Sequence, residues 1–163
     1  MTDMATLPQL EERDIKLLDD TLRHFIAHTE ATTALIIDKG GFVITHQGDA
    51  AQFDLTTIGA LASGAFMANQ TIAGLVNEPS FDSIYQQGEK YCMYVVNVDE
   101  HCLLVVIFKA EVGVGVVKYY AGNVVKRLAR RLRAARERNP EGGLDLSALN
   151  VANPQELFRK KDV

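Results

Sequence analysis

The sequence is poor in reactive groups, and one long stretch of it carries no charge. It has only two cysteines, Cys92 and Cys102, in 163 residues. Both fall near the starts of consecutive apolar strands, which in an antiparallel hairpin lie at opposite ends, so a disulfide between them is excluded. A zinc site needs more ligands at closer spacing. Glu11, Glu12 and Asp14 follow soon after Met1, where a secretory leader carries a basic flank and an apolar run. No lipidation motif is present, and the expectation is a reduced, cytoplasmic protein. No P-loop motif occurs, so the chain is not itself a P-loop NTPase. There is no basic excess either: the net charge is −4.

What is present is an ordinary globular composition, 47% apolar and 23% charged, enough for one domain with a real core. The charge is unevenly spread. Residues 1–32 carry −4, 33–125 carry −5, 126–138 carry +6 and 139–163 carry −1. Between Leu55 and Asn77 lie 23 residues with no charge. Thr56, Thr57, Ser63, Asn69, Gln70, Thr71 and three glycines make that stretch too polar for a lipid-exposed span, so no membrane insertion is expected.

Apolar residues at Ile15, Leu18, Leu22, Phe25 and Ile26 form one stripe of a helix over 13–29, with Asp20, His24 and His28 on the other face. Two β-rich runs, 33–38 and 42–46, flank Lys39-Gly-Gly41 and read as a hairpin. Asp54 is a cap for a long helix through about Asn77, stopped by Pro79. Short strands follow at 83–87, 91–98 and 102–108, the last two joined by Asp99-Glu-His101. A final helix runs from about Val114 to Arg138, with its stripe at Val114, Val117, Ala121, Val124, Leu128, Leu132 and Ala135. Asn139-Pro140 ends it, and Gly142-Gly143 makes a hinge. Asn153, Pro154 and Glu156 predict a short tail helix over 154–160. The order is α-β-β-α-β-β-β-α. Tight connections favour an α+β fold with a five-stranded, mainly antiparallel sheet over residues 12–138, followed by a tail over 139–163.

On a helical wheel of the neutral stretch, Leu55, Ile58, Ala62, Ala65, Phe66, Asn69, Ile72 and Val76 form the face expected to lie on the sheet. The opposite face holds Thr57, Ala60, Gly64, Met67, Thr71 and Gly74. Surface helices normally carry charge there. Ala60, Gly64 and Ala68 recur every four residues, so another helix can approach closely. Two readings follow: a helix buried on one side against its own sheet and on the other against a partner, or a helix buried wholly within its own domain. One small sheet supplies too few layers for the second.

The segments Leu35-Ile-Ile-Asp-Lys-Gly-Gly-Phe-Val-Ile44 and Leu61-Ala-Ser-Gly-Ala-Phe-Met-Ala68 resemble the Roadblock / dynein light chain superfamily. Tyr85-Gln-Gln-Gly-Glu-Lys-Tyr-Cys-Met-Tyr94, Leu103-Leu-Val-Val-Ile-Phe108 and Val114-Gly-Val-Val-Lys118 are similar to its bacterial MglB-type branch, as is the tail around Glu156-Leu-Phe158. The resemblance implies a homodimer with one continuous sheet, in which middle helices and third strands meet. The seam would fall on Ala60, Gly64, Met67, Ala68 and Thr71, and on Ser83, Ile84 and Tyr85. It also implies a partner, a small Ras-like GTPase of a polarity or motility switch in its GTP-bound form. Such regulators accelerate GTP hydrolysis by rearranging the GTPase, without a catalytic side chain or cofactor of their own. A scaffold with no effect on hydrolysis is the first alternative, and a module that binds nucleic acid or a ligand through the basic end of the last helix is the second.

Other features are weighed against plainer readings. His24 and His28, with Asp20 four earlier, have ligand spacing but no further ligand in sight, and a solvated face is the simpler reading. Gly113-Val-Gly115 is read as allowing close strand-to-helix packing, with anion binding at the helix start as the lesser option. The basic run Lys126, Arg127, Arg130, Arg131 and Arg133 departs from the mixed charge of the family's last helix. Nucleic acid, a membrane surface and an acidic protein face are its candidate partners, against the plainer reading of a solvated helix end, where positive charge suits the macrodipole; the lack of interleaved aromatics for base stacking disfavours nucleic acid. Leu157 and Phe158 of the tail are candidates for docking into a groove or folding back on the chain's own core.

Overall fold

The computed structural model describes residues 9–138. The elements are α1 (Glu12–Thr29), β1 (Thr33–Asp38), β2 (Val43–Gly48), α2 (Leu55–Leu75), β3 (Ser83–Gln87), β4 (Tyr91–Asn97), β5 (Cys102–Lys109) and α3 (Val114–Arg138). The strands form one sheet in the order β2-β1-β5-β4-β3, and every pairing is antiparallel. The expected α-β-β-α-β-β-β-α order and five-stranded sheet are what the chain forms. The tail helix and its residues Leu157 and Phe158 lie outside the described residues.

The first two helices start where the sequence supplies a cap. At α1, Glu11 and Asp14 form a reciprocal capping box, and Glu30 closes the other end in the left-handed region at φ 58°. At α2 the Asp54 carboxylate accepts from the Thr57 backbone N–H at 3.1 Å and from its hydroxyl at 2.6 Å. These hydrogen bonds hold the Asp54 carboxyl below its ordinary value. The helix stops at Leu75, and Asn77 turns the chain with φ 59° ahead of Pro79.

The sheet is covered unequally. On one face α1 and α3 lie side by side, and their stripes (Leu18, Leu22 and Phe25; Val117, Ala121, Leu128 and Leu132) pack on Ala34, Ile36, Leu104, Val106 and Phe108. Each such large side chain contributes about 1.5–3 kcal/mol on burial. On the other face α2 is the one helix among the described residues, with Ala62 and Phe66 against Leu35, Ile37, Val95, Leu103 and Val105. β1 is buried along its whole length and β5 up to its last residue, because both have helices on both faces. Cys92 and Cys102 are both buried free thiols. Cys92 pairs in register with Phe108, so the two thiols stand far apart along the hairpin.

Two local expectations fail. Ile72 and Val76 do not lie on the sheet; they are 47% and 56% exposed. The buried face of α2 is instead Gly59, Ala62, Ser63, Phe66 and Ala73, so it sets four small residues beside Phe66 and leaves Ile72 and Val76 outside. The cause is a close approach of backbones. A Cβ on Gly59 would stand 3.1 Å from the Gly41 carbonyl oxygen, and the Ser63 hydroxyl donates to the Lys39 carbonyl at 2.5 Å. The β1–β2 turn fits against that strip, with Gly41 at φ 93° and its missing Cβ leaving room for Ala60. Gly113 and Gly115, in turn, do not mediate close packing, since a Cβ on either would meet nothing within 4 Å. A single 3-10 turn, Ala110–Val112, intervenes between β5 and α3, and Gly113 serves the positive φ of 80° that redirects the chain.

Candidate functional site

The rotation of α2 toward its small residues places more apolar surface outside than the wheel implied. Ala60, Gly64, Met67, Ala68 and Thr71 are all exposed on one face of α2. Leu61 (70%), Leu75 (78%), Ile72 and Val76 flank them, and Phe42 (70%), beside the turn that packs on Ala60, extends the same surface. Scattered exposed leucines are ordinary, but a contiguous uncharged apolar face marks an interaction surface.

Among the described residues nothing requires glycine at position 64. It sits mid-helix, where glycine costs about 1 kcal/mol relative to alanine, yet a Cβ there would meet nothing within 4 Å. Gly59, one turn earlier, is required by the fold and was not singled out in the sequence. Space, not residue type, separates the two.

β3 borders this surface and, among the described residues, is an edge strand hydrogen-bonded only to β4. Its side chains alternate. Ile84 turns to the α2 layer. Tyr85 turns to the other, where its ring stacks on Phe108 at 6.3 Å, Lys118 Nζ stands 5.8 Å from its centroid, and its hydroxyl donates to Cys92 Sγ at 3.7 Å. That contact to Cys92, with burial, raises the Tyr85 phenol. The Tyr85 side chain is thus held within the chain, and what β3 offers outward is its unpaired backbone edge with Ser83 and Ile84 half-buried beside it.

The basic run does not act as one patch. Arg136 pairs with Asp99, and Arg138 with Asp14 and Glu11. Arg127, Arg130 and Arg131 turn toward α1 and line a cleft with Thr21 and Ala134, whereas Lys126 and Arg133 are exposed elsewhere on α3. His24 and His28 also face this side. The His28 ring lies 5.3 Å from that of Tyr120, and Asp20 is engaged by Arg23 at 2.6 Å.

Nucleophilic chemistry has little purchase here. Burial, with Asp99 nearby, pushes the Cys102 thiol up to about 12. Lys39, partly desolvated over the Phe66 ring, has its ammonium lowered by burial against the opposing pull of Asp99. Among the described residues no helix is long and apolar enough to cross a membrane.

A helix-flanked, five-stranded antiparallel sheet with this strand order and one under-covered face defines a class, and residues 17–108 match the Roadblock/LC7 domain. The chain belongs to that family. Among solved structures it is similar to an MglB described as having a tetrameric arrangement (29% identity over 80% of this chain and 97% of the other, TM-score 0.74). It is equally similar to the gliding protein MglB from Thermus thermophilus (29% identity, 80% and 97% covered, TM-score 0.73). Myxococcus xanthus MglB shares the fold at 22% identity, with 77% and 95% covered and a TM-score of 0.72. No functionally curated protein matches the chain.

Proposed function

We propose that this chain is a non-enzymatic, homodimeric regulator of a small Ras-like GTPase in a bacterial motility or polarity switch. The observation that carries the reading is the exposed face of α2, with Gly64 at its centre and the open β3 edge alongside. Pairing two such faces about a twofold axis would bury Ala60, Gly64, Met67, Ala68 and Thr71 against their copies and join two sheets through β3. The similarity to MglB structures, one of them described as tetrameric and one as a gliding protein, supports both self-association and the motility setting.

The regulator needs no catalytic side chain. By binding the hydrolysis-competent conformation of its partner more tightly than the others, it shifts the population toward that state. Each tenfold acceleration requires about 1.4 kcal/mol of such differential binding. The test is single-turnover GTP hydrolysis by the cognate GTPase, with and without this protein. Acceleration together with co-elution in the GTP-bound state is expected. Co-elution with an unchanged rate would replace this reading with that of a scaffold.

A further inference from the structure

The cleft between α1 and α3 lies on the opposite side of the sheet from the α2 face, and the proposed regulation makes no use of it. It has a volume of about 460 Å³ and is lined by Thr21, Arg127, Arg130, Arg131 and Ala134. A second cavity, about 280 Å³, continues it along the helices past His24, His28, Tyr120 and Asn123, and shares Thr21 and Arg127 with the first. The spacing explains the continuity. Tyr120, Asn123, Arg127, Arg131 and Ala134 follow one another at three- and four-residue steps, with Arg130 beside Arg131, so one edge of α3 borders the whole groove.

Among the described residues, Arg127, Arg130 and Arg131, like Arg133 outside the cleft, have no carboxylate within ion-pairing distance, whereas Arg13, Arg23 and Arg136 each have one and Arg138 has two. Three like charges gathered on one cleft wall repel one another, and a bound anion would relieve that repulsion further than solvent screening does. The helix macrodipole does not account for it, because its effect is confined to the last turn, which Arg136 and Arg138 already occupy. The rest of the molecule is acidic: residues 1–125 carry −9. A basic groove on an acidic body selects a ligand small enough to enter it. A bilayer or a DNA duplex would bring its phosphates against the surrounding negative surface as well.

We propose that the α1–α3 groove binds an acidic peptide segment of a partner protein. Its carboxylates would engage Arg127, Arg130 and Arg131, and an apolar or aromatic residue would lie beside Tyr120 and His28. The groove borders α3 over about 20 Å, the span of about six extended residues. The chain's own tail fits poorly, because Leu157-Phe158 is followed directly by Arg159, Lys160 and Lys161.

The experiment is fluorescence anisotropy with the full chain and a fluorescein-labelled hexapeptide, Asp-Glu-Asp-Glu-Leu-Phe. Binding that weakens with salt is expected. It should weaken at least tenfold in the triple variant R127Q/R130Q/R131Q, remain within twofold in Arg133→Gln, and disappear when the peptide's acidic residues become alanine. All the substituted side chains are exposed, and unchanged circular dichroism confirms the fold. The proposal is overturned if the triple variant binds as well as the parent, if Arg133→Gln weakens binding equally, or if the alanine peptide binds as tightly. It is likewise overturned if phosphatidylserine vesicles or duplex DNA bind through these three arginines while the hexapeptide does not.

Discussion

The Arg138 guanidinium donates to the Asp14 carboxylate across 124 residues of sequence, and so clamps the last turn of α3 to the first turn of α1. The same carboxylate accepts from the Glu11 backbone N–H at 2.8 Å, completing the cap of α1. Burial alone would raise the Asp14 carboxyl. The hydrogen bonds from Arg138 and Glu11, with the charges of Arg138 and Arg13, outweigh that and hold it below the usual carboxylate range.

Asp14→Ala should therefore destabilise the fold by at least the value of a lost cap, about 1 kcal/mol. The contribution belongs to the ionised carboxylate, whose folded-state pKa is depressed. It is fully present above the unfolded value, near pH 4, and is lost as pH falls through the lower folded value. Urea midpoints of parent and variant should differ at pH 7 and converge in acid. A gap that stays constant into strong acid would show that the charge contributes nothing.

Gly64→Leu should leave the monomer fold intact and abolish dimerisation, read by sedimentation or light scattering. The added side chain points into open space within the chain but into the proposed seam between copies. A variant that remains a tight dimer would refute the placement of the seam.

Gly59→Ala should do the reverse. Its Cβ would press on the Gly41 carbonyl, Val43 and Ile37 at 3.1–3.3 Å. Overpacking of this kind costs about 1–3 kcal/mol, against about 1 kcal/mol regained in helix propensity, so a modest fall in Tm with self-association retained is expected.

Asp99→Ala should cost about 2 kcal/mol. Its carboxylate accepts from the backbone N–H groups of His101 and Cys102 at 2.8 and 2.9 Å and pairs with Arg136. Removing it strips the β4–β5 turn of its internal acceptor and leaves Arg136 unpaired. Chemical denaturation reads the loss, and an unchanged midpoint would show that the backbone holds this turn unaided.

Neither thiol should react with a disulfide reagent in the native state at pH 8. Cys102 is fully buried with its thiol pushed up to about 12, and Cys92 is 3% exposed. Both should titrate at once in denaturant. Fast labelling of the folded protein would mean that β4 or β5 opens locally.

The elements were legible because their determinants are local. The α3 stripe from Val117 to Ala135, the Asp54 cap and the Gly40-Gly41 turn each follow from spacing or from one residue's backbone preference. The orientation of α2 was not. Hydrophobicity ranks Ile72 and Val76 above Gly59 and Ser63, but the separation of helix and hairpin backbones decides which face is buried, and that separation is a tertiary quantity. The arginines of α3 were legible as charge and not as geometry. Arg136 and Arg138 find Asp99 and Asp14 only once α1, the β4–β5 turn and α3 have met, whereas Arg127, Arg130 and Arg131 are left facing a cleft.

The position of β5 has a consequence for how the chain is made. It lies at the centre of the sheet yet is the last of the described strands in sequence, and β1 and β4 hydrogen-bond to it rather than to each other. Until Cys102–Lys109 has left the ribosome, the first hairpin and β4 each present an open edge with no partner. Closure must then join Thr33–Asp38 to a strand some seventy residues later, a non-local step of the kind that slows folding. Nascent chains stalled before residue 102 should therefore be the ones that require chaperone protection, and those released beyond α3 should not.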